Sequence, residues 1–276
     1  MIVTVEWLQN HIEDEHVRVI DCRFDLANPN WGRQQYEQEH IPYALYFDLN
    51  LDLSSPVTKY GGRHPLPNMK EFAEKLSQAG IDENTTVVAY DSQSGAMASR
   101  LWWLLTYAGH KKVYVLNGGF PIWKERNLPT ESECTEVKRK EFTPNVQEHM
   151  LVTMENVRES IHINADMTLI DSREPKRYAG MEEQVDSQAG HIPTAQNYFW
   201  KEGITEEGKF KEQKEQEERF RHLDKEKEII VYCGSGVTAC PNILALQTAG
   251  FRNVKLYAGS WSDWISYPEN EIEKEQ

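Results

Sequence analysis

The first half of the chain returns, motif by motif, in the second half. Val19-Ile20-Asp21-Cys22-Arg23 recurs as Leu169-Ile170-Asp171-Ser172-Arg173, and His40-Ile41-Pro42-Tyr43-Ala44 as His191-Ile192-Pro193-Thr194-Ala195. Val87-Val88-Ala89-Tyr90-Asp91 matches Ile229-Ile230-Val231-Tyr232-Cys233, Ala108-Gly109 matches Ala249-Gly250, and Trp123 matches Trp264. A period near half the chain length means two similar domains, not a solenoid of short units. The expected division is a first domain over 1–130, a linker over 131–148 and a second domain over 149–276. The linker segment is polar, contains Pro144 and has no counterpart in the first repeat.

The spacing inside the repeats differs in one place. His40 and Tyr90 are 50 positions apart, whereas His191 and Tyr232 are 41 apart. The first repeat therefore carries an insertion, a change that a surface loop tolerates. Tyr60-Gly61-Gly62-Arg63-His64-Pro65-Leu66-Pro67 is its expected position, since its Gly and Pro residues read as irregular loop.

Short β-branched runs alternate with helical patterns. Ile229-Ile230-Val231-Tyr232 is apolar throughout, as a strand buried on both faces would be. Cys240 to Ala249 has helical spacing and Gly250 closes it. This alternation predicts an α/β fold with two tandem domains, each a mainly parallel sheet flanked by helices. Lys209 to Glu228, rich in Lys and Glu with Phe210, Phe220 and Leu223 interspersed, reads as a solvated helix with a thin apolar stripe.

Composition narrows the function classes. Of the 276 residues 39% are apolar and 11% aromatic, enough to bury a core and exclude wholesale disorder. The formal net charge of −14 repels duplex nucleic acid and anionic membrane, so neither is an expected partner. The N-terminus lacks the basic-then-apolar pattern of a secretory signal, and runs such as Leu101-Trp102-Trp103-Leu104-Leu105 are too short to span a bilayer. A cytoplasmic protein is expected. Cys22, Cys134, Cys233 and Cys240 include no Cys-x-x-Cys pair and no zinc spacing, so neither a metal nor a disulfide framework is expected.

Cys233 ends a strand and is followed by Gly234-Ser235-Gly236-Val237-Thr238 before a helix begins. Glycines let successive N–H groups turn inward as an anion nest, and a helix N-terminus adds positive potential. Both favour a thiolate, and both would favour a charged persulfide. The first repeat has Asp91-Ser92-Gln93-Ser94-Gly95 at the matching place. A carboxylate cannot carry a transferable sulfur, so one repeat reacts and the other does not; Asp91 reads as a loop or helix-capping residue.

The run Cys233-Gly234-Ser235-Gly236-Val237-Thr238-Ala239 resembles the active-site loop of the tandem-domain rhodanese family. Asp171-Ser172-Arg173, Gly190-His191-Ile192-Pro193 and Gly259-Ser260-Trp261 support the resemblance, which covers nearly the whole chain, including an inactive first domain with Asp at the cysteine position. It implies thiosulfate or 3-mercaptopyruvate sulfurtransferase activity, with Cys233 cycling between thiolate and persulfide and with no cofactor. The partners would be a small sulfur donor and a thiol or cyanide acceptor. Thiosulfate enzymes of the family tend to have basic residues directly after the cysteine; Gly-Ser-Gly is similar to the mercaptopyruvate branch, which makes 3-mercaptopyruvate the favoured donor. The alternatives are a thiosulfate:cyanide sulfurtransferase and a non-enzymatic persulfide carrier. Cysteine phosphatases of related fold need an arginine six positions after the cysteine, where this chain has Ala239.

Cys233 is thus the expected catalytic residue, with Gly234, Gly236, Val237 and Thr238 as the substrate-binding loop. Ser235 either hydrogen-bonds the sulfur or a donor carbonyl, or closes a turn on its own backbone. Arg177 either holds a donor carboxylate or sulfonate, or forms a surface ion pair. No arginine lies in Tyr178 to Gly190, where mercaptopyruvate enzymes of the family usually place two more. The inserted loop, with Arg63 and His64, is expected to join the site of the second domain; the resemblance places a histidine there beside the catalytic loop. Asp21, Arg23 and His40 recur as Asp171, Arg173 and His191 although only one repeat reacts, which assigns all six to the fold. Cys240 reads as a buried helix cysteine.

Overall fold

The apolar runs of both repeats form central strands, because a parallel sheet covered on both faces asks for continuous Val, Ile and Leu. The computed structural model describes residues 1–163 and 166–275 and divides into two compact units. The first comprises Met1–Ser55, Leu66–Gln147 and Glu206–Phe210; the second comprises Pro56–Pro65, Glu148–Thr205 and Lys211–Gln276.

The first unit holds strands β1 (Ile2–Val3), β2 (Val17–Asp21), β3 (Ala44–Tyr46), β4 (Thr86–Tyr90) and β5 (Val113–Leu116). They form a parallel sheet in the order β1-β5-β4-β2-β3. The second unit holds β6 (Leu151–Val152), β7 (Met167–Asp171), β8 (Gln196–Asn197), β9 (Glu228–Tyr232) and β10 (Val254–Tyr257). Their order, β6-β10-β9-β7-β8, is the same and again all parallel. Register repeats too: Asp21 pairs with Tyr90 and Asp171 with Tyr232. Each sheet is flanked by helices, so the predicted α/β class with two parallel sheets is what the chain forms.

The repeated Asp-x-Arg motifs act identically in the two units. Arg23 donates to Asp21 through Nε and Nη2, at 2.8 and 2.6 Å, and from Nη2 to the Glu39 carbonyl at 2.7 Å. Arg173 does the same with Asp171, at 3.0 and 2.6 Å, and with the Gly190 carbonyl at 2.6 Å. The pair thus ties a strand end to the segment before each His-Ile-Pro. His40 stacks on Tyr36 at 4.0 Å and donates from Nδ1 to its carbonyl; His191 stacks on Tyr178 at 3.9 Å and does likewise. Burial pulls the Arg173 guanidinium down, but Asp171 more than offsets it, and the net shift is upward.

Three segments depart from local expectation. Residues 131–147 run as an extended strap on the first unit: Lys140 donates its N–H to the Ser77 carbonyl, Asn145 to Ala108 and Gln147 to Tyr107. Lys209 to Glu228 is not one amphipathic helix, since only Gln213–Arg219 is helical. Phe210 is buried in the first unit, its N–H donated to Asn117 Oδ1 at 2.8 Å, while Phe220 is buried in the second. The Phe residues leave the helix pattern because each fills a core. Residues 56–65, part of the first repeat in sequence, belong to the second compact unit.

Candidate active site

Cys233 follows β9 directly and is 1% exposed. Its backbone is fixed on both sides. The Cys233 N–H donates to Ser260 Oγ at 3.1 Å, and the Cys233 carbonyl accepts from the Trp261 N–H at 2.9 Å. The Gly234 carbonyl accepts from the Ser262 N–H at 3.0 Å. The loop then turns at Gly236, whose φ of +75° disfavours a side chain; a Cβ there would stand 2.2 Å from the Ala258 carbonyl oxygen. Thr238 precedes the helix Ala239–Thr248, which is buried along most of its length. Cys233, Gly234, Ser235, Gly236 and Val237 are buried and Thr238 is half-buried.

Ser235 and His64 meet here. The Ser235 hydroxyl and His64 Nδ1 share a hydrogen bond of 2.8 Å, and both residues are buried. The loop that carries His64 is held by three contacts: Gly61 N–H to Asp263 Oδ1 at 2.7 Å, Arg63 N–H to Ser262 Oγ at 3.1 Å, and Tyr60 stacked on Tyr267 at 4.5 Å. Asp263 is itself fixed by the Tyr257 hydroxyl at 2.7 Å. The segment that secures the Cys233 backbone therefore also secures the His64 loop.

Two guanidinium groups stand beside the Cys233 loop. A Cβ built on Gly234 would lie 2.9 Å from Arg63 Nη2, and 3.8 and 3.9 Å from Arg177 Nη1 and Nη2. Burial lowers the Arg63 value, while the Cys233 sulfur pulls it the other way. Both arginines are ion-paired. Arg63 Nη1 bonds Asp186 Oδ1, and Arg177 Nη2 bonds Asp186 Oδ2 at 2.9 Å. Arg177 also grips Glu183 through Nε and Nη2 at 2.9 to 3.1 Å. Sequence reading missed Glu183 and Asp186: they lie in an acidic, turn-rich stretch with no periodicity, and their only signal is position within a dozen residues of Arg177.

The other cysteines are placed differently. Cys240 is fully buried on the helix and its thiol donates to the Gly236 carbonyl at 3.4 Å, supporting the loop from behind. Cys22 is buried in the first unit, where burial and then Asp21 push its thiol well up. Cys134 is exposed.

Known proteins match this chain in sequence and fold along nearly its whole length. The Rhodanese-like domain family matches twice, over residues 4–126 and 153–267. A Pseudomonas aeruginosa protein named "Probable 3-mercaptopyruvate sulfurtransferase" is 37% identical, with 98% of this chain and 97% of that protein covered. The thiosulfate sulfurtransferase of Gallus gallus is 32% identical, with 96% and 93% covered. The crystal structure of a 3-mercaptopyruvate sulfotransferase from Escherichia coli superposes with a TM-score of 0.83 at 33% identity, covering 95% of this chain and 98% of that one.

Proposed function

The chain belongs to the rhodanese family and is a sulfurtransferase, and from that premise we propose that it moves sulfur from 3-mercaptopyruvate through a persulfide on Cys233. The observation that carries the donor choice is the placing of positive charge. The loop itself, Gly234-Ser235-Gly236, is neutral, and the guanidinium groups of Arg63 and Arg177 stand to one side of Gly234. A donor with one carboxylate set back from its sulfur fits that arrangement. Compact thiosulfate, with two charges next to the transferred sulfur, calls for cations on the loop.

The chemistry follows in two steps. The Cys233 thiolate attacks the mercaptopyruvate sulfur; an S–S bond forms, the C–S bond breaks, and the electron pair stays on carbon as the enolate of pyruvate. In this reading Ser235 donates a hydrogen bond to the donor ketone oxygen, where that negative charge develops, and His64, which shares a hydrogen bond with the Ser235 hydroxyl, holds it and exchanges its proton. The enolate takes up one proton and leaves as pyruvate. An acceptor thiolate or cyanide then attacks the outer sulfur of the persulfide; the S–S bond breaks and the Cys233 thiolate is restored.

The acceptor in this reading is a small thiol or cyanide. Among the described residues no helix is long and apolar enough to cross a membrane. The test is steady-state turnover with each donor at matched pH and salt, joined to mass spectrometry of the donor-treated protein. The expected result is one added sulfur on Cys233 and a higher kcat/KM for mercaptopyruvate. A kcat/KM for thiosulfate equal or higher would overturn the donor assignment and leave the persulfide chemistry standing. An added sulfur elsewhere would remove the assignment of Cys233.

A further inference from the structure

Asp186 is an unusual companion for an anion-binding site. Its side chain is 3% exposed, and it lies between the two guanidinium groups that flank Gly234, Oδ1 on Arg63 and Oδ2 on Arg177. Glu183, 4% exposed, pairs with Arg177 and approaches Arg173 Nη1 at 3.7 Å; it also accepts the N–H groups of Val185 and Asp186 at 2.9 and 3.0 Å. Arg173 is already matched by Asp171. The two remaining cations, Arg63 and Arg177, are thus balanced by two buried carboxylates, and the formal charge of these paired groups sums to zero. The two carboxylates are buried while the guanidinium groups they hold are part-exposed; burying a carboxylate is costly and such pairs are weak evidence for stability, so a role in recognition accounts better for their place beside the loop.

We propose that Asp186 is a specificity-determining residue that selects against doubly charged donors by cancelling cationic charge beside the Cys233 loop. The inference rests on the sulfurtransferase reading above and names the residue that sets its donor preference. A donor anion entering beside Gly234 meets the guanidinium groups and the Asp186 carboxylate together. Coulomb energy scales with donor charge, so the carboxylate opposes thiosulfate, with two charges, twice as strongly as mercaptopyruvate, with one. Expressed as rate or affinity, the factor lost by the dianion is the square of the factor lost by the monoanion. Asp186 also orients both guanidinium groups, which explains why a carboxylate, not simply fewer arginines, does this work.

The experiment compares Asp186→Asn, which keeps shape and an acceptor but drops the charge, with Asp186→Glu, which keeps the charge. Glu182→Gln is the control: it removes an exposed carboxylate of the same segment that, among the described residues, forms an ion pair with Lys176. Binding of thiosulfate and of mercaptopyruvate is measured by calorimetry in a Cys233→Ser background, where neither turns over. Turnover is measured in parallel with Cys233 intact and cyanide as acceptor. For Asp186→Asn the expected gain is about threefold for mercaptopyruvate and about tenfold for thiosulfate, in Kd and in KM with kcat nearly constant. Asp186→Glu and Glu182→Gln should keep the original donor ratio. Equal changes for the two donors, or a loss for both with a fall in kcat, would overturn the proposal and leave Asp186 as a positioning residue only. If Asp186→Asn does not fold, a shifted donor ratio in Asp186→Glu, which folds with the charge retained, would equally count against it, and an unchanged ratio would support it. Absence of turnover with either donor in the unmodified protein would sink the sulfurtransferase reading, while the binding ratio would still decide the role of Asp186.

Discussion

The loops after β4 and β9 hang on the same framework and are filled differently. The Asp91 carbonyl accepts the Phe120 N–H at 2.9 Å, and the Cys233 carbonyl accepts the Trp261 N–H at the same distance. The residue before each donor has an equivalent left-handed backbone, Gly119 at φ +54° and Ser260 at φ +57°. In the first unit Asp91 folds its own carboxylate into the loop. Oδ1 accepts the N–H groups of Gln93 and Gly95 at 2.8 and 2.9 Å, and Oδ2 those of Met97 and Ala98 at 2.7 and 2.9 Å. In the second unit the matching residue ends in sulfur, and Ser260 replaces the glycine to hold the Cys233 N–H. A strand end running into a helix N-terminus builds a cradle for negative charge. One repeat satisfies it with a side-chain carboxylate; in the other the matching residue is Cys233, to which the proposed function assigns the transferred sulfur.

The largest effect that could break this comparison is at Cys233 itself. Cys233→Ser should lower sulfur transfer by about 10³-fold or more, because a serine hydroxyl at that position cannot form a persulfide. Alanine at Cys22, Cys134 or Cys240 should each retain kcat within about threefold. Persulfide found by mass spectrometry on any of those three would contradict the assignment.

Next in size is the stability of the filled loop. Asp91→Ala strips four amide donors of their acceptor, at a cost of about 3 kcal/mol, read from urea unfolding. The pH dependence has a definite sign. Burial raises the Asp91 carboxyl above its ordinary value, against the pull of the amides. The stability from this raised value is present below the ordinary carboxyl range and is lost as pH rises through the folded-state value. Asp91→Asn, which cannot ionise, should lack that component, so its unfolding free energy should follow pH less steeply in that window. Identical slopes for the two proteins would show that the carboxylate is not strained by burial.

The Ser235–His64 pair has no counterpart among the contacts of Asp91, and it should matter only for chemistry. Ser235→Ala and His64→Ala should each lower kcat with mercaptopyruvate by about 30-fold, and the double variant by little more, since the two act as one unit. Additive losses would mean separate roles.

The smallest expected effect sharpens the charge argument. Arg177→Ala should raise KM for mercaptopyruvate by about tenfold while lowering kcat less, as a group that anchors the donor in ground and transition states alike. A kcat loss exceeding the KM change would assign it to the chemical step instead.

Much of this was fixed by local pattern. The twin strand order follows from repeated apolar runs and repeated Asp-x-Arg and His-Ile-Pro motifs, because strand burial and turn geometry are written in neighbouring residues. The strand–Cys–Gly-Ser-Gly–helix run likewise folds as a strand end turning into a helix, and Asp91 fills the matching loop of the first unit with its own carboxylate. Longer-range choices are not written that way. Ser235 meets His64 across 171 positions, and Arg63 meets Asp186 across 123. The difference in repeat spacing marks the inserted loop that carries Arg63 and His64, but no periodicity names the partner of either, because polar side chains in irregular loops have no repeat to read. Phe210 shows the same limit: beside a helical pattern in sequence, it is claimed by the core of the other unit, since burial of a large ring outweighs the propensity of one helical turn. Residue types and backbone cradle came from the sequence; which charges stand together beside the sulfur was decided only by the tertiary structure, because Coulomb energy and desolvation depend on distances that folding alone sets.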